Sequence, residues 1–117
     1  MRRELENRLI KFTGEIITLN KFIKNSFEGE HLSKQLIRSG TSVALNFGEA
    51  LGTYSRKDFI HKQSIVIKEL RETYVNLRII KNNNLCTNES LLNNVISECD
   101  ELIRIFVKSL QTLQSKN

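Results

Sequence analysis

Three observations predict an all-helical protein from this chain of 117 residues. The sequence contains no proline and only five glycines, so few residues interrupt a regular backbone. Aromatic residues make up only 7% of the chain, and much of the remainder is Leu, Ile, Lys, Glu, Asn and Ser. Apolar residues also recur at steps of three and four along four segments, which is the period of a helix. Because 39% of the residues are hydrophobic, the chain can build one core, and we expect one domain over 1–117.

The first segment predicts a helix over about residues 3–26. Its continuous apolar stripe consists of Leu5, Leu9, Phe12, Ile16, Leu19 and Ile23. We expect this helix to end near Gly29, since glycine readily adopts the left-handed conformation that closes a helix. Ile10 and Ile17 lie beside the stripe and widen the apolar face beyond what one neighbouring helix covers.

The second segment contains the run RSGTSVALNFGEA, which is rich in poor helix formers. We nevertheless predict a helix over about residues 31–52, because a structureless connection of that length is uncommon in a compact domain. One arc carries apolar residues: Leu32, Leu36, Val43, Phe47 and Leu51. A flank of small residues follows at steps of four: Gly40, Ala44, Gly48 and Gly52. Such a ridge favours close helix packing, so we expect a crossing at Gly40 and Gly48 and a cost of a few kcal/mol for Gly48→Leu.

The third and fourth segments have clearer boundaries. Ser55 and Asp58 match a capping box at the start of a helix predicted over about residues 56–82, and Asn82, Asn83 and Asn84 favour its end. A fourth helix is predicted over about residues 88–114. Its apolar repeat consists of Leu92, Ile96, Cys99, Ile103, Phe106, Leu110 and Leu113.

A group of polar residues could be interpreted as a catalytic cluster or as a structural network. It consists of Arg38, Ser42, Asn46 and Glu49 on one arc of the second helix, with Glu69 and Glu72 from the third. We favour a charge-paired network that sets helix register or seals a subunit boundary, with Arg38 and Glu49 both paired. No histidine lies near the cluster in sequence, and Ser39 and Ser42 lack an evident base, so we predict no catalytic residue.

The net charge of +5 permits a polyanionic partner. On the third predicted helix, basic residues fall within an arc of about 100° opposite the core face: Lys57, His61, Lys68, Arg71 and Arg78. This pattern indicates a site for the backbone of RNA or DNA, and the alternative is an ordinary solvated face. No aromatic residue of the stripe offers a stacking platform, so we do not predict single-strand stacking.

The sequence offers no pattern for a metal or a cofactor. The two cysteines, Cys86 and Cys99, form no CxxC motif, and we expect reduced thiols in a cytoplasmic protein. His31 and His61 are expected at the surface, and the Glu-x-x-His pairs of a di-metal bundle are absent from the sequence. Neither a signal peptide nor an apolar stretch of membrane-spanning length is present, so no membrane partner is expected.

The run QLIRSGTSVALNFGEA, followed by SRKDFI and KELRETY, resembles the 23S rRNA intervening-sequence protein family, also called S23-type. The resemblance covers nearly the whole chain. It implies an antiparallel, up-down-up-down four-helix bundle that assembles into a cyclic homo-oligomer, typically a pentamer, with no established enzymatic activity. A related branch serves as an accessory protein of diversity-generating retroelements, where a basic ring surface engages a reverse transcriptase and nucleic acid.

Surplus apolar positions also predict self-assembly, because a monomer rarely exposes a large apolar patch. They comprise Ile10 and Ile17 on the first helix, Phe59, Val66 and Ile80 on the third, and Leu91, Val95, Leu102 and Val107 on the fourth. We expect a head-to-tail ring, with a pentamer favoured by the resemblance and a dimer as the alternative. Two hypotheses of function remain: a non-enzymatic scaffold that binds RNA, DNA or a nucleic-acid enzyme through its basic surface, and an assembly that binds only protein.

Overall fold

The computed structural model describes residues 2–115, which form four α-helices and an isolated bridge between two loops. The helices are α1 (Arg2–Asn20), α2 (Phe27–Leu51), α3 (Arg56–Asn82) and α4 (Glu89–Ser115). They pack as an elongated bundle that measures 49 × 21 × 20 Å. The all-helical fold and the four-helix bundle predicted from the sequence are therefore confirmed.

The short connections make successive helices antiparallel, so the bundle runs up, down, up and down. α2 packs between α1 and α3, and α4 packs against both α3 and α1. The α2–α3 pair makes the most extensive contact, and the α1–α4 pair makes the least extensive one. Leu9, Phe12 and Ile16 of α1 are fully buried in the common core, where the Phe47 and Phe106 rings meet edge to face with centroids 5.3 Å apart.

The boundary between α1 and α2 differs from the prediction. α1 ends at Asn20, and α2 already begins at Phe27, with the Ser26 hydroxyl accepting a hydrogen bond from the Gly29 amide. Gly29 therefore lies in the first turn of α2, and the prediction that it closes α1 is wrong. A Cβ at this position would lie 2.1 Å from the Lys24 carbonyl oxygen, so only glycine fits the close approach of the two backbone segments.

The α1–α2 and α3–α4 loops meet at one end of the bundle. The Lys24 amide donates to the Leu85 carbonyl at 2.7 Å, and the Thr87 amide donates to the Phe22 carbonyl at 2.8 Å. These bonds flank an antiparallel bridge between Ile23 and Cys86. This pairing ends α1 early, although its apolar stripe continues to Ile23. The opposite end of the bundle contains both described termini and the α2–α3 loop.

The α3 boundaries agree with the predicted signals. Ser55 is the N-cap, and its hydroxyl accepts a hydrogen bond from the Asp58 amide at 3.0 Å. The helix ends at Asn82, and Asn84 has a positive φ of 54°. Asparagine tolerates this left-handed conformation better than most residues, which explains why the run of asparagines ends the helix.

The ridge of small residues on α2 makes a close crossing at only part of its length. A Cβ at Gly40 would lie 2.7 Å from the Ile16 Cδ1 atom, and the Thr13 hydroxyl of α1 donates to the Gly40 carbonyl at 3.0 Å. At Gly48 the nearest atom is the Glu6 Oε2 atom at 3.4 Å, which leaves room for a methyl group. The prediction of a close crossing at Gly48 is therefore corrected. Gly52 caps the C-terminus of α2, and Ala44 is half-buried.

Most of the surplus apolar positions are buried or half-buried in the core of the bundle, because each helix contacts more than one neighbour. The buried ones are Phe59, Val66, Ile80, Val95 and Leu102, while Leu91 and Val107 are half-buried. Only Ile10 and Ile17 are exposed, which corrects the prediction for α3 and α4. Other exposed apolar side chains are Phe27, Leu45, Tyr54, Val75 and Ile79.

Candidate nucleic-acid interface

The five basic residues predicted on α3 lie on one exposed face of the helix. They are Lys57, His61, Lys68, Arg71 and Arg78, and we call them the α3 basic stripe. Across residues 2–115, none of the five forms an ion pair with a carboxylate. The Arg78 guanidinium lies over the Tyr74 ring, 5.6 Å from its centroid. At about 1.5 Å per residue, the stripe extends over about 32 Å.

The stripe carries no carboxylate, because the nearby acidic residues of α3 turn toward α2. Glu69 is buried, and its Oε2 atom lies 3.4 Å from the Arg38 Nη1 atom. Glu72 pairs with the other terminal nitrogen of the same guanidinium. The α2–α3 ion pairs thus hold these carboxylates away from the basic stripe, where they would otherwise weaken the attraction for an anion.

The predicted polar network joins α2 to α3, and the prediction that Arg38 and Glu49 are both paired is confirmed. Arg38 binds Glu69 and Glu72, whereas Glu49 binds the Lys62 ammonium at 2.5 Å. Arg38 and Glu49 are therefore both paired across the helix interface, and not with each other. The predicted members Ser42 and Asn46 bond only within α2: Ser42 donates to the Arg38 carbonyl, and Asn46 donates to the Ser42 carbonyl, each at 2.8 Å.

The buried part of this interface contains polar residues that the sequence analysis did not assign to the network. The Ser39 and Thr73 hydroxyls lie 2.8 Å apart, and both side chains are fully buried. One turn further along α3, the Asn76 amide donates to the Leu32 carbonyl at 3.1 Å. Ser39 lies in the run RSGTS of α2, and Thr73 lies in the run RETY of α3. The signal available in the sequence was that each is a small polar residue on the helix face that packs against the other helix.

A second charge cluster joins α1 to α4 and was also missed. The Arg8 guanidinium donates two hydrogen bonds of 2.8 Å to Glu98 and contacts Glu101 at 2.8 Å. The hydrogen bonds to Glu98 raise the pKa of Arg8 above its usual range. Because these residues are 90 positions apart in sequence, only the packing of the two helices reveals the pairing.

The remaining reactive side chains are the two cysteines and the two histidines. Both cysteines are free; Cys99 is fully buried and donates its S–H to the Leu70 carbonyl at 3.3 Å. Burial raises the pKa of the Cys99 thiol to about 12, which keeps it protonated and unreactive at neutral pH. His31 and His61 are exposed. Within the described part of the chain, no group of three or more His, Cys, Asp or Glu side chains could hold a metal ion.

The described helices also fail the length and hydropathy requirements of a membrane span, since no window of sufficient length is apolar enough.

The fold and its polar interface define a class: a four-helix-bundle protein with a charge-paired α2–α3 seam and a basic outer face on α3. The chain belongs to the 23S rRNA-intervening sequence protein family, whose model matches residues 4–108. The resemblance identified from the sequence motifs is thereby confirmed.

A solved structure supports the same assignment. The chain is similar to a protein of unknown function from the S23 ribosomal protein family of Bacteroides thetaiotaomicron, with 30% sequence identity and a TM-score of 0.80. The similarity covers 90% of this chain and 96% of that one. No curated protein matches the chain.

Proposed function

We propose that this protein is a self-assembling, non-enzymatic scaffold that holds the phosphate backbone of a nucleic acid along the α3 basic stripe. The observation that carries the proposal is the set of exposed cations without carboxylate partners in residues 2–115. Elsewhere on the surface, cations such as Arg8, Lys62 and Arg104 are neutralised by ion pairs. Among residues 2–115, unpaired cations such as Lys11 and Lys108 also occur on α1 and α4, but the stripe places four of them, Lys57, Lys68, Arg71 and Arg78, along one face of a single helix.

The chemistry of the stripe favours contacts to phosphate rather than to base edges. Lys and Arg side chains on a single helix face neutralise phosphates and release counterions, which gives affinity without a sequence code. The family description links its members to intervening sequences of 23S rRNA, so structured RNA is a suitable first ligand. Repetition of the stripe in an oligomer would multiply the contacts and raise the avidity.

The test is a fluorescence-anisotropy titration of structured RNA and of duplex DNA between about 50 and about 200 mM salt. The variant Lys68→Gln/Arg71→Gln removes two cations from the stripe. The control Lys11→Gln/Lys108→Gln removes the same charge from exposed positions on α1 and α4. For duplex DNA, each lost phosphate contact lowers the slope of log K against log salt by about 0.9.

We expect the stripe variant to bind more weakly and with a shallower salt dependence than the control. Equal losses in the two variants would show that only net charge matters, and would remove the stripe as the site. Binding that stays weak for the parent protein at about 50 mM salt would overturn the proposed function itself.

Self-assembly is proposed from two groups of exposed apolar side chains at different positions along the bundle. The first, the α1/α2 strip, contains Ile10 (56% exposed), Ile17 and Leu45 (65% exposed). It flanks the crossing at Gly40, since Ile10 and Ile17 lie within four residues of Thr13 on α1. The second, the α3 end patch, contains Phe27 (85% exposed), Val75 and Ile79.

Two unlike surfaces fit a head-to-tail contact, in which the strip of one copy covers the end patch of the next. Such a heterologous contact closes into a ring when the rotation per subunit permits it. The pentamer remains the preferred size on the family resemblance, and the dimer remains the alternative. A large polar substitution in either surface, Ile10→Glu or Phe27→Glu, should dissociate the ring.

Mixing the two variants distinguishes the head-to-tail contact from a two-fold contact. Each variant alone retains one intact surface, so a mixture should form a heterodimer through one unaltered contact, visible by light scattering after size-exclusion chromatography. In a two-fold contact, each surface would pair with itself, and only one of the variants would dissociate. A parent protein with the mass of one subunit at all concentrations would remove the assembly proposal.

The alternative function is an assembly whose partners are proteins only. It is favoured by Val75, an exposed apolar residue that interrupts the basic stripe between Arg71 and Arg78. Under this alternative, the RNA titration fails at low salt while the oligomer persists. The two measurements therefore separate the hypotheses.

A further inference from the structure

A cleft of about 620 Å³ opens between α1 and α4 at the end of the bundle that contains both described termini. These two helices make the least extensive contact of the packed pairs. The apolar lining of the cleft includes Leu5 and Ile105 and the almost fully buried rings of Phe47 and Phe59. Its volume and mainly apolar lining fall within the range of sites that bind small organic molecules.

One polar residue in the lining has unsatisfied hydrogen-bonding capacity. Gln63 is only 2% exposed, and its Oε1 atom has no hydrogen-bond partner. Its amide nitrogen makes one long contact, 3.4 Å to the Ser109 hydroxyl, which also lines the cleft. If the amide were turned over, the serine would satisfy the oxygen and leave the nitrogen without a partner. Either orientation therefore leaves one polar atom of the amide without a protein partner, so Gln63 offers a hydrogen-bonding group to a molecule in the cleft.

The cleft lining carries charges of both signs, the carboxylate of Glu4 and the guanidinium groups of Arg2 and Arg8. The Arg2 guanidinium lies over the Phe59 ring, 4.2 Å from the ring centroid. Arg2 has no carboxylate partner among residues 2–115. The other arginine of the lining, Arg8, is already neutralised by Glu98 and Glu101. Arg2 is therefore the lining residue that would attract an anionic group of a bound molecule.

The geometry points to a binding site for a small amphipathic carboxylate whose apolar ring carries a hydrogen-bond donor. The ring would pack on the apolar lining of the cleft, and its N–H would donate to the Gln63 Oε1 atom once a side-chain rotation exposes that buried atom to the cleft. The carboxylate would pair with Arg2. This site is separate from the α3 basic stripe and does not depend on the proposed nucleic-acid function.

Three related probes test each part of this assignment. Indole-3-propionate carries the ring, the donor and the carboxylate; its 1-methyl derivative lacks the donor, and indole lacks the carboxylate. Titrations followed by ¹H–¹⁵N NMR should show saturable shifts at the cleft for indole-3-propionate. Each of the other two probes should bind about tenfold more weakly or worse, since each loses one polar contact.

Two variants with a matched control complete the test. Arg2→Gln should weaken the binding of indole-3-propionate about tenfold and leave the binding of indole unchanged. Arg3→Gln removes the same charge at the neighbouring exposed position, outside the cleft lining, and should have little effect. Gln63→Leu should erase the preference for indole-3-propionate over its 1-methyl derivative, and its thermal unfolding shows independently that the variant folds.

The absence of saturable shifts up to about 5 mM indole-3-propionate would overturn the assignment. It would also be overturned if the three probes bound equally well, since the cleft would then select only for apolar surface. Shifts at the cleft that appear with protein concentration alone would show that a second copy of the chain occupies it, which also contradicts a small-molecule site.

Discussion

The crossing at Gly40 can be tested by adding one methyl group to each of two glycines of α2. Alanine is favoured over glycine inside a helix by about 1 kcal/mol, and this gain applies to both Gly40→Ala and Gly48→Ala. At Gly48 the new methyl group meets only the Glu6 carboxylate at 3.4 Å, an ordinary contact. We therefore expect Gly48→Ala to stabilise the protein by about 0.5–1 kcal/mol.

At Gly40 the same methyl group overlaps with a side chain that cannot move away easily. It would lie 2.7 Å from the Ile16 Cδ1 atom and 3.3 Å from its Cγ2 atom, and Ile16 is fully buried. Overpacking of this kind costs about 1–3 kcal/mol. After subtraction of the gain in helix propensity, Gly40→Ala should be destabilising by up to about 2 kcal/mol.

Urea unfolding of both variants measures the difference in the free energy of unfolding, which should be about 1–3 kcal/mol. A third substitution identifies the clashing atom. Ile16→Val removes Cδ1 and should cost about 1 kcal/mol in the parent protein. In the Gly40→Ala background it should cost clearly less, because it also relieves the overlap.

Two results would refute this reasoning. If Gly40→Ala were as stabilising as Gly48→Ala, α1 and α2 would not be in the close contact described. If Ile16→Val cost the same in both backgrounds, the two positions would not be coupled, and the destabilisation at Gly40 would need another cause.

Two further predictions concern the α2–α3 seam and the buried thiol. Arg38→Gln should destabilise the protein by about 1 kcal/mol, because it leaves the buried Glu69 without its cation. The control Lys34→Gln removes only an exposed ion pair and should be nearly neutral in the same urea assay. Equal effects of the two variants would contradict a stabilising role of the α2–α3 ion pairs. Cys99 should resist alkylation at pH 8 in the native protein and react only after unfolding, since burial raises its pKa to about 12. Mass spectrometry measures the modification, and the half-buried Cys86 serves as the internal comparison. Rapid modification of Cys99 in the folded state would contradict the described packing of the core.

The sequence predicted those elements whose boundaries are set locally. The start of α3 follows from Ser55 and Asp58, which interact within one turn, and its end follows from an asparagine run that needs no distant partner. The end of α1 could not be predicted in the same way. It depends on the Lys24–Leu85 hydrogen bond between two loops that are far apart in sequence.

The candidate site shows the same division. A rotation of about 100° per residue was enough to place the basic stripe on one face of α3. The acidic partners of Arg38 belonged to the predicted network, but the Lys62 partner of Glu49 could not be derived, because it depends on how α3 is rotated and shifted against α2. The number of exposed apolar positions was overestimated for a related reason: one seam per helix underestimates how much surface four mutually packed helices bury.

The bridge between Ile23 and Cys86 makes the two ends of the bundle unequal in mechanical terms. At the bridged end, the loops are tied to each other by backbone hydrogen bonds, so α1 cannot separate from α4 there without breaking them. Toward the other end, the described parts of the two helices share no backbone hydrogen bond; the Arg8 side chain at the edge of the cleft joins them through Glu98 and Glu101. Local opening should therefore start at the terminal end and propagate toward the bridge, and the Lys24 and Thr87 amides should be among the last in the loops to exchange with deuterium.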